Sequence, residues 1–244
     1  MAMGLGLSAI TVSAANIHAV GASAPALPSP VQSTGTKAVA ASANATDTVT
    51  AASNFTAGNT VIIAVVAFND TSVGASFSGI TVSGTAAVED ANIQHVDNAN
   101  YRASIWRATN VTGGNPNVVF SWTNGAGGTH ILTCGIEEWS SLTATPVDSV
   151  PAAVRTTATS ESITSAVLAQ AKEVVYAVGS VTNANVAGFT GPTGFTVTAS
   201  DVTPTNLAAL AGYKAVNATT AVTAAFSQTG SVESDLVMVT YKSN

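Results

Sequence analysis

Apolar and polar positions alternate with a period of two along most of this chain, in short runs. Val, Ile, Phe and Trp fill one set of positions, and Thr, Ser and Asn fill the other. No apolar stripe at helical spacing survives for three turns, so the pattern predicts strands rather than helices. The expected strands are 37–41, 46–51, 59–68, 77–83, 100–109, 117–123, 129–140, 159–165, 172–181, 194–200, 206–216, 220–227 and 233–242. Turn residues separate them, as in Thr112-Gly-Gly-Asn-Pro116, Thr123-Asn-Gly-Ala-Gly-Gly128 and Gly188-Phe-Thr-Gly-Pro-Thr-Gly194. Val61, Ile63, Val65, Trp106, Phe120, Val175 and Val239 are the expected core positions.

Residues 1–36 break the pattern. They carry no Asp, Glu, Lys or Arg, and Pro25, Pro28 and Pro30 forbid an internal helix. Ala22-Ser23-Ala24 before Pro25 looks like a signal-peptidase site, but no positive stretch precedes it, as a secretory leader requires. A membrane span is not expected either, because Asn16, His18 and repeated Gly, Ser and Thr interrupt the segment. The segment reads as an extended N-terminal arm. Leu5, Leu7, Ile10, Val12, Ile17, Val20 and Leu27 are its large apolar residues, expected to bury on a neighbouring subunit through strand addition.

Residues 37–244 contain an internal repeat, about 57–142 and 169–244. Asn59-Thr-Val-Ile-Ile-Ala-Val-Val corresponds to Lys172-Glu-Val-Val-Tyr-Ala-Val, and Phe77-Ser-Gly-Ile-Thr-Val82 to the segment from Phe189 to Val197. Trp106-Arg107-Ala108 corresponds to Tyr213-Lys214-Ala215, Val118-Val-Phe-Ser121 to the segment around Phe226-Ser227, and Trp139 to Tyr241. Each half is too small to close a good core alone, so one sandwich from two related strand sets is expected. The fold class is therefore all-β, a jelly-roll-like β-sandwich preceded by an arm.

The order of these motifs, closed by Glu138-Trp139-Ser140-Ser141-Leu142, resembles jelly-roll-type accessory proteins of tailed-phage virions and related bacterial surface modules. In that group a Glu-(Tyr/Trp)-Ser-Gly-Leu-like ending closes the first unit, and this chain departs from it at Ser141. The resemblance covers roughly residues 57–244 and leaves out the arm. It implies a virion decoration, cement or fibre protein, and no activity.

Composition narrows the function further. Apolar residues make up 46% and charged residues only 8%, yet aromatics are just 6%, so Ala, Val and Ile supply most of the apolar content. The net charge of −6 and seven scattered Lys and Arg leave no basic patch for a nucleic-acid backbone. A single cysteine, Cys134, excludes an internal disulfide and sits in an apolar run as a small core residue. Soluble monomers guard their sheet edges with charge, and this chain has few charges to spend there.

Candidate chemistry is sparse. His18, His95 and His130 each stand alone, without a metal-ligand partner at short spacing. Glu137 and Glu138 are adjacent on a strand, point to opposite faces and cannot flank one glycosidic bond. Glu89, Asp90, His95 and Asp97 are read as a solvated loop between Glu89 and Asn100. Trp106, Trp122 and Trp139 are read as core or interface anchors rather than a sugar platform. No catalytic, cofactor-binding or metal residue is assigned, and the chain is not expected to be an enzyme. The expected role is a structural virion protein that joins copies of itself or other virion proteins, with neither nucleic acid nor membrane as partner. The alternative is an extracellular or cell-surface adhesin or carbohydrate-binding module that meets a surface glycan.

Overall fold

The computed structural model describes residues 26–42, 45–69, 77–95, 101–122, 130–182, 188–201 and 207–244. Among these residues the chain is all strand and turn, with no helix, as the alternation predicts. The first repeat comprises β1 (Gln32–Ser42), β2 (Thr46–Thr50), β3 (Thr60–Asn69), β4 (Phe77–Val82), β5 (Thr85–Ala86), β6 (Val88–Gln94), β7 (Tyr101–Ala108), β8 (Asn117–Trp122) and β9 (His130–Trp139). The second comprises β10 (Leu142–Ser149), β11 (Val154–Thr156), β12 (Ser160–Thr164), β13 (Lys172–Thr182), β14 (Thr196–Asp201), β15 (Leu207–Asn217), β16 (Thr223–Ser227) and β17 (Ser234–Ser243).

Each repeat contributes an inner and an outer sheet. The inner sheets run β1-β9-β3-β7-β6 and β10-β17-β13-β15-β14, with β11 also on β17, so the two repeats share one strand order. The outer sheets run β2-β8-β4-β5 and β12-β16, and all pairings are antiparallel. The four sheets stack as outer, inner, inner, outer, with a hydrophobic core in each of the three gaps. The sandwich expected from two related strand sets is thus present, stacked in four layers. Each half solves its shortage of core by burying the back of its inner sheet on the other half.

Burial explains why the inner strands look as they do. Val61–Ala67 of β3 and Val174–Val178 of β13 are buried residue after residue. Both faces of these strands meet a core, so both are apolar and the alternation disappears. Ile63 and Val65 face the outer core of their own repeat, while Ile62 and Ala64 face the seam between repeats. The expected core residues Val61, Ile63, Val65, Trp106, Phe120, Val175 and Val239 are all buried.

The structure corrects several expectations. Residues 32–36, assigned to the arm, belong to β1, whose backbone pairs with β9 from Gln32↔Glu138 to Thr36↔Cys134. Polar Gln-Ser-Thr-Gly-Thr has no apolar signature because this edge strand gets its order from the ladder. Val31 N–H extends that ladder to the carbonyl of Glu138 at 2.6 Å. The Glu89–Gln94 segment, expected as loop, lies in β6 at the opposite edge of the inner sheet. The matching of Trp106 with Tyr213 is one residue out, because Trp106 faces an outer core and Tyr213 faces the seam. A slip of one residue exchanges the two faces of a strand. Trp139 and Tyr241 do correspond, and both face the seam.

Candidate functional site

Most of the polar chemistry of the molecule collects at the seam, where the two inner sheets meet in opposite order. β1 lies against β14, β7 against β13 and β17, and β6 against β17. At the β1 side the backbones come very close. A Cβ on Gly35 would fall 1.8 Å from the Thr198 carbonyl oxygen, and one on Gly135 would fall 2.3 Å from the Thr198 hydroxyl. Only glycine permits this approach.

Glu137 projects into that tight region. It is fully buried, and Ser33 Oγ donates to its Oε1 at 3.2 Å. Burial pushes its carboxyl up to about 7, against the opposing effect of hydrogen bonds from Thr198, Tyr176 and Ser33. Its neighbour Glu138 points to the other face, as strand geometry requires. Burial alone would raise Glu138, but hydrogen bonds from Gln32 Nε2, Thr56 N–H and Asn59 Nδ2, each 2.7 Å, hold it below the usual carboxylate range. Two adjacent acids thus differ because desolvation outweighs the donors around Glu137, whereas three donors at 2.7 Å outweigh it at Glu138.

The middle of the seam is aromatic. Trp139 Nε1 donates to the Tyr176 hydroxyl at 2.8 Å, and Trp139 meets Tyr213 edge-on at 5.2 Å between centroids. Tyr241 extends the cluster and donates its hydroxyl to Asp90 Oδ2 at 2.8 Å. Arg107 binds the same carboxylate through two hydrogen bonds of 3.0 Å. Arg102 holds Glu89 in a similar way. Glu89 and Asp90, read as part of a loop, are therefore strand residues fastened to the neighbouring strand and, through Asp90 and Tyr241, to the other repeat, while Asp97 lies outside the described residues.

His95, at the end of β6, is buried rather than solvated. Its Nδ1 lies 3.1 Å from Glu233 Oε1 and its Nε2 lies 3.8 Å from Asp235 Oδ2. Arg155 Nε bridges the same two carboxylates at 3.1 and 2.9 Å, and Arg155 also donates to the Gln94 carbonyl across the seam. His95, Glu233 and Asp235 are close enough to share a metal ion. However, the two ring nitrogens face different carboxylates, and an arginine already bridges the acids, so the geometry is that of a polar latch between repeats. Sequence reading left His95 alone because its partners lie in the last strand region.

Away from β1 the seam opens. β10 leaves register with β17 between Leu142↔Ser243 and Val147↔Tyr241, so residues 143–146 bulge outward. Beneath the bulge is an open cleft of about 420 Å3, lined by Gly58, Thr60, Thr109, Asn110, Leu142, Thr143 and Ala144. Arg107, Thr145, Pro146 and Val147 line a neighbouring hollow of about 150 Å3. Hydroxyl and amide groups line the cleft, which can hydrogen-bond a neutral ligand but presents no acid–base pair.

Of the residues assigned to the arm, Leu27 is 53% exposed, whereas Leu5, Leu7, Ile10, Val12, Ile17 and Val20 lie outside the described residues. Trp106, Trp122, Trp139 and Cys134 are buried in the cores. No family model, curated protein or solved structure matches the chain.

Proposed function

We propose that this chain is a non-catalytic structural protein of a phage virion, a capsid decoration, cement or fibre component that assembles through its β surfaces and its arm. One observation carries the reading: among the described residues no acid is fully exposed, and most point inward. Asp47, Glu137, Glu138, Glu161, Glu173, Asp201 and Asp235 are all buried. The outward positions of the outer sheets are Thr46, Thr48, Thr50, Asn117, Val119 and Ser121 on one side, and Ser160, Ser162, Thr164, Thr223, Ala225 and Ser227 on the other. No charge stands among them. A solitary soluble protein keeps its surface mixed and charged, and a surface this bare suits a molecule covered by neighbours.

Mass spectrometry of density-banded particles from cells that carry the coding sequence tests the proposal. The virion reading expects this chain at a fixed copy number in the particles. Its exclusion from them, with recovery on the cell surface or in the medium, would refute it. The cleft beneath the β10 bulge favours the second reading, a surface module that binds a glycan, because its hydroxyl and amide lining suits a neutral polyhydroxylated ligand.

A further inference from the structure

Strands β2 and β12 hold the same place in the two repeats, at a free edge of each outer sheet. Among the described residues β2 pairs only with β8, and β12 only with β16. Each is five residues long and free of bulges. Backbone bonds from Trp122 N–H to Ala45 and from Ala51 N–H to Pro116 fix the phase of the first ladder. Asp47 and Val49 therefore turn their peptide groups to β8, and Thr46, Thr48 and Thr50 turn theirs outward. Bonds from Gln228 N–H to Thr159 and from Ser165 N–H to Val222 set the same phase in β12, leaving Ser160, Ser162 and Thr164 directed outward. Each edge presents a row of peptide groups ready for another strand, and neither a lysine nor a proline stands on it.

What opposes pairing points inward. Asp47 and Glu161 sit at equivalent positions, opposite Phe120 and Phe226, and both are buried. Asp47 accepts a hydrogen bond from Trp122 Nε1 at 2.5 Å. Glu161 accepts one from Ser234 Oγ, and its Oε1 is buried without a hydrogen-bond partner. We propose that β2 and β12 are self-association edges, completed by antiparallel addition of an edge from a second copy, and that the inward carboxylates of Asp47 and Glu161 hold them closed while charged.

The physical basis is desolvation. A strand laid on the edge takes water still further from an already buried carboxylate, and an ion suffers from that loss far more than a neutral acid. Glu161 is suited to the role, since burial pushes it up to about 7, Asp235 on β17 adds repulsion and Ser234 opposes the rise. A second copy fits these edges because Thr46-Asp-Thr-Val-Thr50 and Ser160-Glu-Ser-Ile-Thr164 are near copies whose outward side chains are uncharged hydroxyls. Pairing β2 of one molecule with β12 of the next is head-to-tail, which builds a chain or lattice when the rotation does not close. This inference rests on the assembly reading above and names its surface and its control.

Sedimentation velocity of the full-length protein over a concentration series at pH 8 tests it. Glu161→Gln and Asp47→Asn should each tighten self-association by about tenfold relative to the unaltered protein. Lowering the pH of the unaltered protein from 8 to 6 should move it the same way. Adding Ser162→Pro to Glu161→Gln removes one outward N–H while sparing the β16 ladder, and should restore the original behaviour. Asp47→Asn provides an independent arm if Glu161→Gln fails to fold. Carboxamide variants that associate no more than the unaltered protein would overturn the inference, as would association indifferent to Ser162→Pro. Neither result bears on whether the chain is found in particles, so the two failures are separable.

Discussion

In the first repeat a four-stranded outer sheet closes the core around an aromatic cluster, with Phe77 6.2, 5.5 and 4.7 Å from Trp106, Phe120 and Trp122. In the second, a two-stranded sheet and a stacked Phe189–Phe226 pair at 5.8 Å do the same work. The register places Gln228 where the first repeat has Trp122, and its side chain donates to the Ala158 and Val232 carbonyls. Strand order and the inward acid of the edge strand are common to both repeats, while the core filling differs. Topology here depends on where apolar residues fall rather than on which ones they are.

Truncating the shared phenylalanines should separate the two cores. Phe120→Ala and Phe226→Ala should each cost about 3–5 kcal/mol. The larger loss should follow Phe120, whose neighbour Phe77 also packs on Trp106 and Trp122, whereas Phe226 leaves a single pair with Phe189. Urea midpoints at constant slope measure both, and a larger loss for Phe226 would break the comparison.

The next effect is one of pH, and it sets the seam beside an outer core. Glu137 and Glu161 are both pushed up to about 7, so between their unfolded range and that value the folded chain holds protons that the unfolded chain has released. Their stabilising contribution is complete in mild acid and is lost as pH rises through 7. Stability should therefore fall between pH 5 and pH 8 by up to about 3 kcal/mol for each group. Glu137→Gln should flatten the seam's share and leave that of Glu161. Glu138, held low, works in the opposite direction only at more acidic pH. Denaturant titrations at three pH values decide the matter, and stability that rises with pH contradicts it.

A smaller contrast lies between the two sides of the seam. Gly35→Ala pushes a methyl group into the Thr198 backbone and should cost about 1–3 kcal/mol. Thr145→Ala, on the open bulge, should stay within about 0.5 kcal/mol. Between these two, Tyr241→Phe should cost about 1 kcal/mol, since Asp90 keeps both bonds from Arg107. Thermal melts rank these three variants, and equal costs for Gly35→Ala and Thr145→Ala would show that the seam is no tighter on one side than the other.

These same places show what the chain reveals without its fold. Strands β3, β9, β13 and β17 are legible because their long runs rich in apolar residues leave few alternatives. Strand β6 is not legible, because Glu89 and Asp90 look like a solvated loop until Arg102 and Arg107 arrive from the neighbouring strand. Strand β10 hides behind Pro146 and its bulge, and β1 hides behind polar residues whose order comes from β9. The repeat is visible in sequence, but the facing of Trp106 and Tyr213 is not, since a period-two pattern buried on both faces gives no sign of which side is which. The latch of His95 with Glu233 and Asp235 joins residues that only the stacking of the two inner sheets brings together.

The central claim is that the seam makes the two repeats one cooperative body. Scanning calorimetry of the full-length protein tests it most directly. The account predicts a single transition whose calorimetric and van't Hoff enthalpies agree. Two resolved transitions, one for each repeat, would contradict it.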